Sequence, residues 1–133
     1  MAIKKYSKIP EFLAEEVFDL EKDKETADKL QLAAHLNLSM CNLKLKNYND
    51  SRDNCKNVLK FDAKNEKGLF RMAQSLMGMG DYDEAIKFFE QVIEVNAENK
   101  DASNQILSCK QKIKESKTKE KALYSKMMSA FSS

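Results

Sequence analysis

The chain has 133 residues, 33% of them charged, with a formal net charge of +2. That length fits one small domain, and so balanced a charge argues against a nucleic-acid binder, which would carry a strongly basic surface. No apolar run approaches a membrane span, and no basic-then-apolar leader opens the chain, so an unexported, cytoplasmic protein is expected.

One Pro and three Gly leave few turns of the kind that punctuate β-folds. Lys, Glu, Leu, Ala and Gln, all good helix formers, are plentiful, so an all-α fold is expected. Cys41, Cys55 and Cys109 are widely spaced and show no metal-ligand pattern with a histidine. They are expected to be buried, reduced thiols.

In chain order, residues 2–9 (Ala-Ile-Lys-Lys-Tyr-Ser-Lys-Ile) line up with residues 85–92 further along, and both read as helix. Pro10 either kinks this helix or opens a new one through Phe12, Leu13, Val17 and Leu20. The polar stretch 21–28 reads as a long connection.

Residues 32–65 and 66–99 then repeat each other at an offset of 34. Leu38 meets Met72, Ser39 meets Ala73, Tyr48 meets Tyr82, Ser51 meets Ala85, Cys55 meets Phe89 and Val58 meets Val92; both units close on Asn. This is the period of the tetratricopeptide repeat (TPR), a helical hairpin that buries its apolar face only by stacking on its neighbours. The small pairs Ser39/Ala73 and Ser51/Ala85 belong where helices approach closely, and the tyrosines plug the turns. Residues 1–31 are expected to hold the second helix of a truncated first repeat plus the connection. Beyond Asn99, residues 100–133 form a long helix: Ala102, Ile106, Cys109 and Ile113 cap the last repeat, and a polar stretch from Lys114 projects into solvent. The whole is expected to be a short right-handed solenoid.

Catalytic motifs are absent: there is no HExxH, GxSxG, P-loop or GxGxxG. Gly78-Met79-Gly80 suits a helix end, and His35, the single histidine, reads as a packing or surface residue. Met40 and Met72 read as core. No cofactor or metal is expected, and the chain is not expected to be an enzyme. One polar group stands out. Asn37 and Arg71 share a repeat position, Lys67 precedes Arg71 by one turn, and Lys44 follows Asn37 by two. First helices of stacked hairpins line a concave groove, so these residues are expected to offer charge-assisted donors to a carboxylate there.

Residues 33–41 (Ala-Ala-His-Leu-Asn-Leu-Ser-Met-Cys) and 65–71 (Asn-Glu-Lys-Gly-Leu-Phe-Arg) resemble the TPR domain of large FKBP-type immunophilins, as do Asn104-Gln105-Ile106, residues 109–112 and residues 121–124. The resemblance implies peptidyl-prolyl isomerase domains in a longer parent. It implies a groove for the acidic C-terminus, Glu-Glu-Val-Asp, of the ninety-kilodalton heat-shock chaperone. That groove is a carboxylate clamp in which Asn37, Lys67 and Arg71 match family members, while a Lys and an Asn of the first repeat have no counterpart here. Lys44 extends the basic floor. The segment 119–131, with Leu123, Met127 and Phe131 as anchors, resembles the stretch proposed to bind calmodulin in this family. A homodimer through the uncovered N-terminal helix (Ile3, Tyr6, Ile9) is a further expectation.

Overall fold

The computed structural model describes residues 11–132. Five helices follow in order: α1 (Glu11–Lys44), α2 (Tyr48–Phe61), α3 (Glu66–Gly78), α4 (Tyr82–Val95) and α5 (Lys100–Ser132). Each packs on the next, and α1 also reaches α3, the stacking of consecutive hairpins.

Both hairpins turn by the same device. At the end of α1 the Asn47 N–H donates to the Asn42 carbonyl and the Lys46 N–H to that of Leu43; at the end of α3 Asp81 donates to Leu76 and Gly80 to Met77. This pairing needs a left-handed residue after the helix. Gly80 takes it at φ 82, but its counterpart Lys46 sits at φ 61 with a Cβ in the way. Lys46→Gly is therefore expected to stabilise the fold by about 0.5–1 kcal/mol, read as a raised urea midpoint; an unchanged or lowered midpoint would show that the lysine is unstrained. The closing asparagines are helix caps: Asn65 Oδ1 accepts the Gly68 N–H at 2.8 Å, and Asn99 Oδ1 accepts that of Ala102 at 3.0 Å.

The core lies between α3, α4 and α5, where Leu69, Met72, Ala73, Leu76, Ala85, Phe89, Val92, Ala102 and Cys109 are buried. All four small residues expected at close crossings, Ser39, Ala73, Ser51 and Ala85, are fully buried. Under α1 the contact is polar. Ser51 Oγ donates to the Ser39 carbonyl at 3.1 Å, and Ser75 Oγ lies 2.7 Å from both Ser51 Oγ and the Arg71 carbonyl, its one hydrogen serving either.

Three sequence expectations change. The stretch 21–28 is not a connection: α1 runs through it unbroken. The run is polar because it is exposed on most sides, and no Gly or Pro interrupts residues 11–45. Cys41 is exposed, unlike Cys55 and Cys109. Met40 is 40% exposed and so is no core residue. The helix expected over residues 2–9, with Pro10, lies outside the described residues.

Burial pushes the Cys55 thiol from 9.0 up to about 11, against smaller opposing effects from Ser39, Arg71 and Ser51; burial raises Cys109 as well. Both thiols stay neutral at neutral pH, so alkylation of the native protein is expected to modify Cys41 first by a wide margin, read by mass spectrometry. The raised Cys55 value also means that its contribution to stability is full below pH 9.0 and declines as pH climbs toward about 11, because the unfolded thiol ionises first.

Candidate functional site

The inner faces of α1, α3 and α5 form a concave groove with two chambers. The larger, about 560 Å³, is lined by residues that include Met40, Lys44, Tyr48, Arg71, Gln105 and Lys112. The smaller, about 340 Å³, includes Glu66, Lys67, Phe70, Arg71 and Asp101. Met40, Arg71 and Gln74 belong to both and join them.

Repetition places these groups. Lys44, Gly78 and Lys112 stand 34 residues apart, on the first helix of each successive unit, as do Lys67 and Asp101, and Arg71 and Gln105. Gly78 at the middle of the first set leaves room: an added Cβ would collide with the Tyr48 ring, which closes the floor there. Arg71 is half-buried, and its Nη1 donates to the Leu36 carbonyl at 2.7 Å. That carbonyl also accepts Ser39 Oγ at 2.6 Å. One guanidinium N–H is thereby tied to α1 and the rest of the planar fork stays available toward the groove. The larger chamber has three cationic side chains, Lys44, Arg71 and Lys112, and no carboxylate in its lining. In the smaller, Lys67 and Arg71 face Glu66 and Asp101, with Glu66 Oε1 accepting from Asn99 Nδ2 at 3.2 Å.

A family model for the tetratricopeptide repeat matches residues 66–99. Peptidyl-prolyl cis-trans isomerase FKBP4 of Bos taurus is 40% identical over 126 residues, 95% of this chain and 28% of that protein. The chain carries a tetratricopeptide repeat and is similar over most of its length to part of an FKBP-type isomerase. It spans little more than a quarter of that curated relative's length. Among solved structures, the C-terminal TPR-containing domain of a Plasmodium falciparum FK506-binding protein matches with a TM-score of 0.64 at 30% identity, over 68% of this chain and 60% of that one. The first TPR of Spaghetti (RPAP3), solved bound to an HSP90 peptide, shares the fold with a TM-score of 0.60 at 20% identity, over 62% of this chain and 65% of that one.

Within this TPR domain, three of the four residues expected to bind a carboxylate line the groove: Lys67 and Arg71 of the clamp, and Lys44 of the basic floor. Asn37 does not. It is exposed on α1 and lies outside the lining of both chambers, on the rim one turn before Met40. Arg71 also departs from expectation: it is a packing residue between α1 and α3 as well as a groove donor. Gln105 and Lys112 were not singled out from the sequence, although extending the 34-residue offset from Arg71 and Gly78 into α5 reaches both.

Leu123, Met127 and Phe131 are exposed near the end of α5, beyond Lys112 on the same helix. Their four-residue spacing puts them on one side of the helix. His35 is half-buried, and its Nδ1 has no hydrogen-bond partner. Among the described residues no group of His, Cys, Asp and Glu could hold a metal ion, and no helix is long and apolar enough to cross a membrane.

Proposed function

We propose that the groove binds the free C-terminal carboxylate of an acidic peptide, and that this peptide is the Glu-Glu-Val-Asp tail of the ninety-kilodalton heat-shock chaperone. One observation carries the reading: Lys44, Arg71 and Lys112 converge on a single concave chamber whose lining holds no carboxylate. Charge-assisted hydrogen bonds from such cations are the strong kind, and the fork of Arg71 suits a two-oxygen acceptor. Met40, Met77 and Tyr82 give the same chamber apolar walls for the side chains that precede the terminus. The isomerase activity named for FKBP4 belongs to that whole protein; an isomerase parent for this domain is part of the same proposal.

The test is calorimetry with a peptide ending Glu-Glu-Val-Asp, as free acid and as C-terminal amide. The amide is expected to bind at least about tenfold more weakly, since a hydrogen bond to a charged group is worth about 1.5–3 kcal/mol. Equal affinity of the two forms would remove the carboxylate from the recognition and the reading with it.

A second surface supports a second reading. Leu123, Met127 and Phe131 lie exposed among Lys119, Lys121 and Lys126 on the projecting part of α5. A basic helix with spaced apolar anchors is the form that calmodulin targets take.

A further inference from the structure

The two chambers of the groove differ in charge, and the difference traces to one position of the repeat. Lys67 stands in the first turn of α3, and Asp101, 34 residues on, in the first turn of α5. The register thus puts a cation on one helix and a carboxylate at the matching place on the next. An aspartate suits the start of a helix, where it meets the positive end of the dipole. The cap of α5 is supplied by a different residue, Asn99, whose Oδ1 accepts the Ala102 N–H at 3.0 Å. The same asparagine engages Glu66, whose Oε1 accepts from its Nδ2 at 3.2 Å. Asp101 is not engaged in this way. Among the described residues no hydrogen bond or ion pair holds its side chain, or that of Lys67. Both are exposed, and both line the smaller chamber with Glu66, Phe70 and Arg71.

We propose that Asp101 sets the charge preference of the smaller chamber, which takes a basic side chain of the bound peptide ahead of an acidic one, a preference that rests on the peptide reading above. In the larger chamber Lys44, Arg71 and Lys112 meet no carboxylate, so the peptide's terminal carboxylate settles there. Arg71 lines both chambers, and that carboxylate matches its charge. The smaller chamber then keeps Lys67 alone against Glu66 and Asp101. An acidic side chain entering it is opposed, and a lysine or arginine is attracted. The apolar stem of such a side chain finds cover from Met40 and Phe70 in the same lining. Glu66 is shared with Asn99, which leaves Asp101 as the free acceptor for the charged head. With Asp101 neutralised, Lys67 and Glu66 balance and the bias disappears. The chambers meet at Met40, Arg71 and Gln74, so one extended peptide reaches both. Recognition is therefore divided along the peptide: a carboxylate at its end, a basic group further back. Both chambers open to solvent, which keeps the effect modest and sensitive to salt.

Fluorescence polarisation at low ionic strength tests the assignment. The probes are labelled peptides based on one ending Glu-Glu-Val-Asp, with each residue ahead of the terminal Asp replaced in turn by Lys, Gln or Glu. At the position seated in the smaller chamber, Lys is expected to bind about threefold or more tighter than Glu, with Gln between, and added salt to erase the difference. Asp101→Asn is expected to abolish the preference at that position and to tighten binding of the Glu form, with an unchanged circular-dichroism spectrum. Asp101→Glu keeps the charge and is expected to keep the preference. Glu bound as tightly as Lys at every position would overturn the proposal. A lysine preference that survives Asp101→Asn would do so as well, by assigning it to another group. The free acid and the C-terminal amide keep the two readings apart. A chain that tells acid from amide but shows no lysine preference loses this inference alone. One that ignores the terminal carboxylate yet keeps an Asp101-dependent preference loses the reading of the larger chamber and retains Asp101 as the charge selector. A chain that binds none of the peptides overturns both.

Discussion

Phe89→Ala is expected to destabilise the domain by about 3–5 kcal/mol, the range for emptying a buried aromatic site. The side chain has no solvent exposure and lies in the cluster that joins α3, α4 and α5 through Leu69, Met72, Ala102 and Cys109. Its ring meets that of Phe70 edge-on, with centroids 5.3 Å apart and planes at 73°, so truncation also removes an aromatic pair. A small domain has about 5–15 kcal/mol of total stability. The variant should therefore unfold at a much lower urea midpoint, with little change in the slope of the transition. Phe89→Leu, which keeps most of the volume, should lose clearly less. The earlier repeat has Cys55 at this position, where Ser39 and Ser51 hydrogen-bond with the thiol. A loss below about 1 kcal/mol for the alanine variant would mean that α5 can settle into the vacated space.

What could be read from the sequence follows the same division between packing and surface. The 34-residue offset located the close-packed small residues, the two turn tyrosines and the terminal asparagines, because each answers to a steric or hydrogen-bonding demand that recurs in every hairpin. The cap role of Asn65 and Asn99 is a direct case: a side-chain oxygen must meet the free N–H groups at the start of α3 and of α5. The stretch 21–28 was misread because polarity marks exposure, and exposure is common to a loop and to a helix that stands clear of its neighbours. The better signal was the absence of Gly and Pro from residues 11–45. Met40 and Cys41 were misread for a related reason. Hydrophobic residues can floor a groove or stand exposed on a helix as readily as fill a core, and composition does not separate the three. The groove itself was half legible. Lys67 and Arg71 announce themselves by spacing, whereas Lys112 contributes only because α5 continues the register of the repeats beyond the last hairpin.

Arg71→Ala is expected to weaken binding of a Glu-Glu-Val-Asp peptide by about 1.5–3 kcal/mol, some ten- to more than a hundredfold. Arg71 is the one cation that lines both chambers, so a peptide entering either meets it. The same substitution should also cost stability, because the guanidinium is half-buried and its Nη1 fastens α3 to the Leu36 carbonyl of α1 at 2.7 Å. About 1–2 kcal/mol is expected from that bond and from the packing of the side-chain stem. Lys67→Ala separates the two effects. Lys67 is exposed and belongs to the smaller chamber, so its loss should weaken binding while leaving the unfolding midpoint nearly unchanged. Arg71→Lys refines the comparison further. It keeps the charge but gives up the planar fork, so it should recover part of the affinity and little of the bond to Leu36. Peptide calorimetry and urea unfolding on the same three variants give the answer. Wild-type affinity in Arg71→Ala would remove this residue from the binding site. A binding loss in Arg71→Ala with no change in unfolding would show that its link to α1 contributes nothing to the fold.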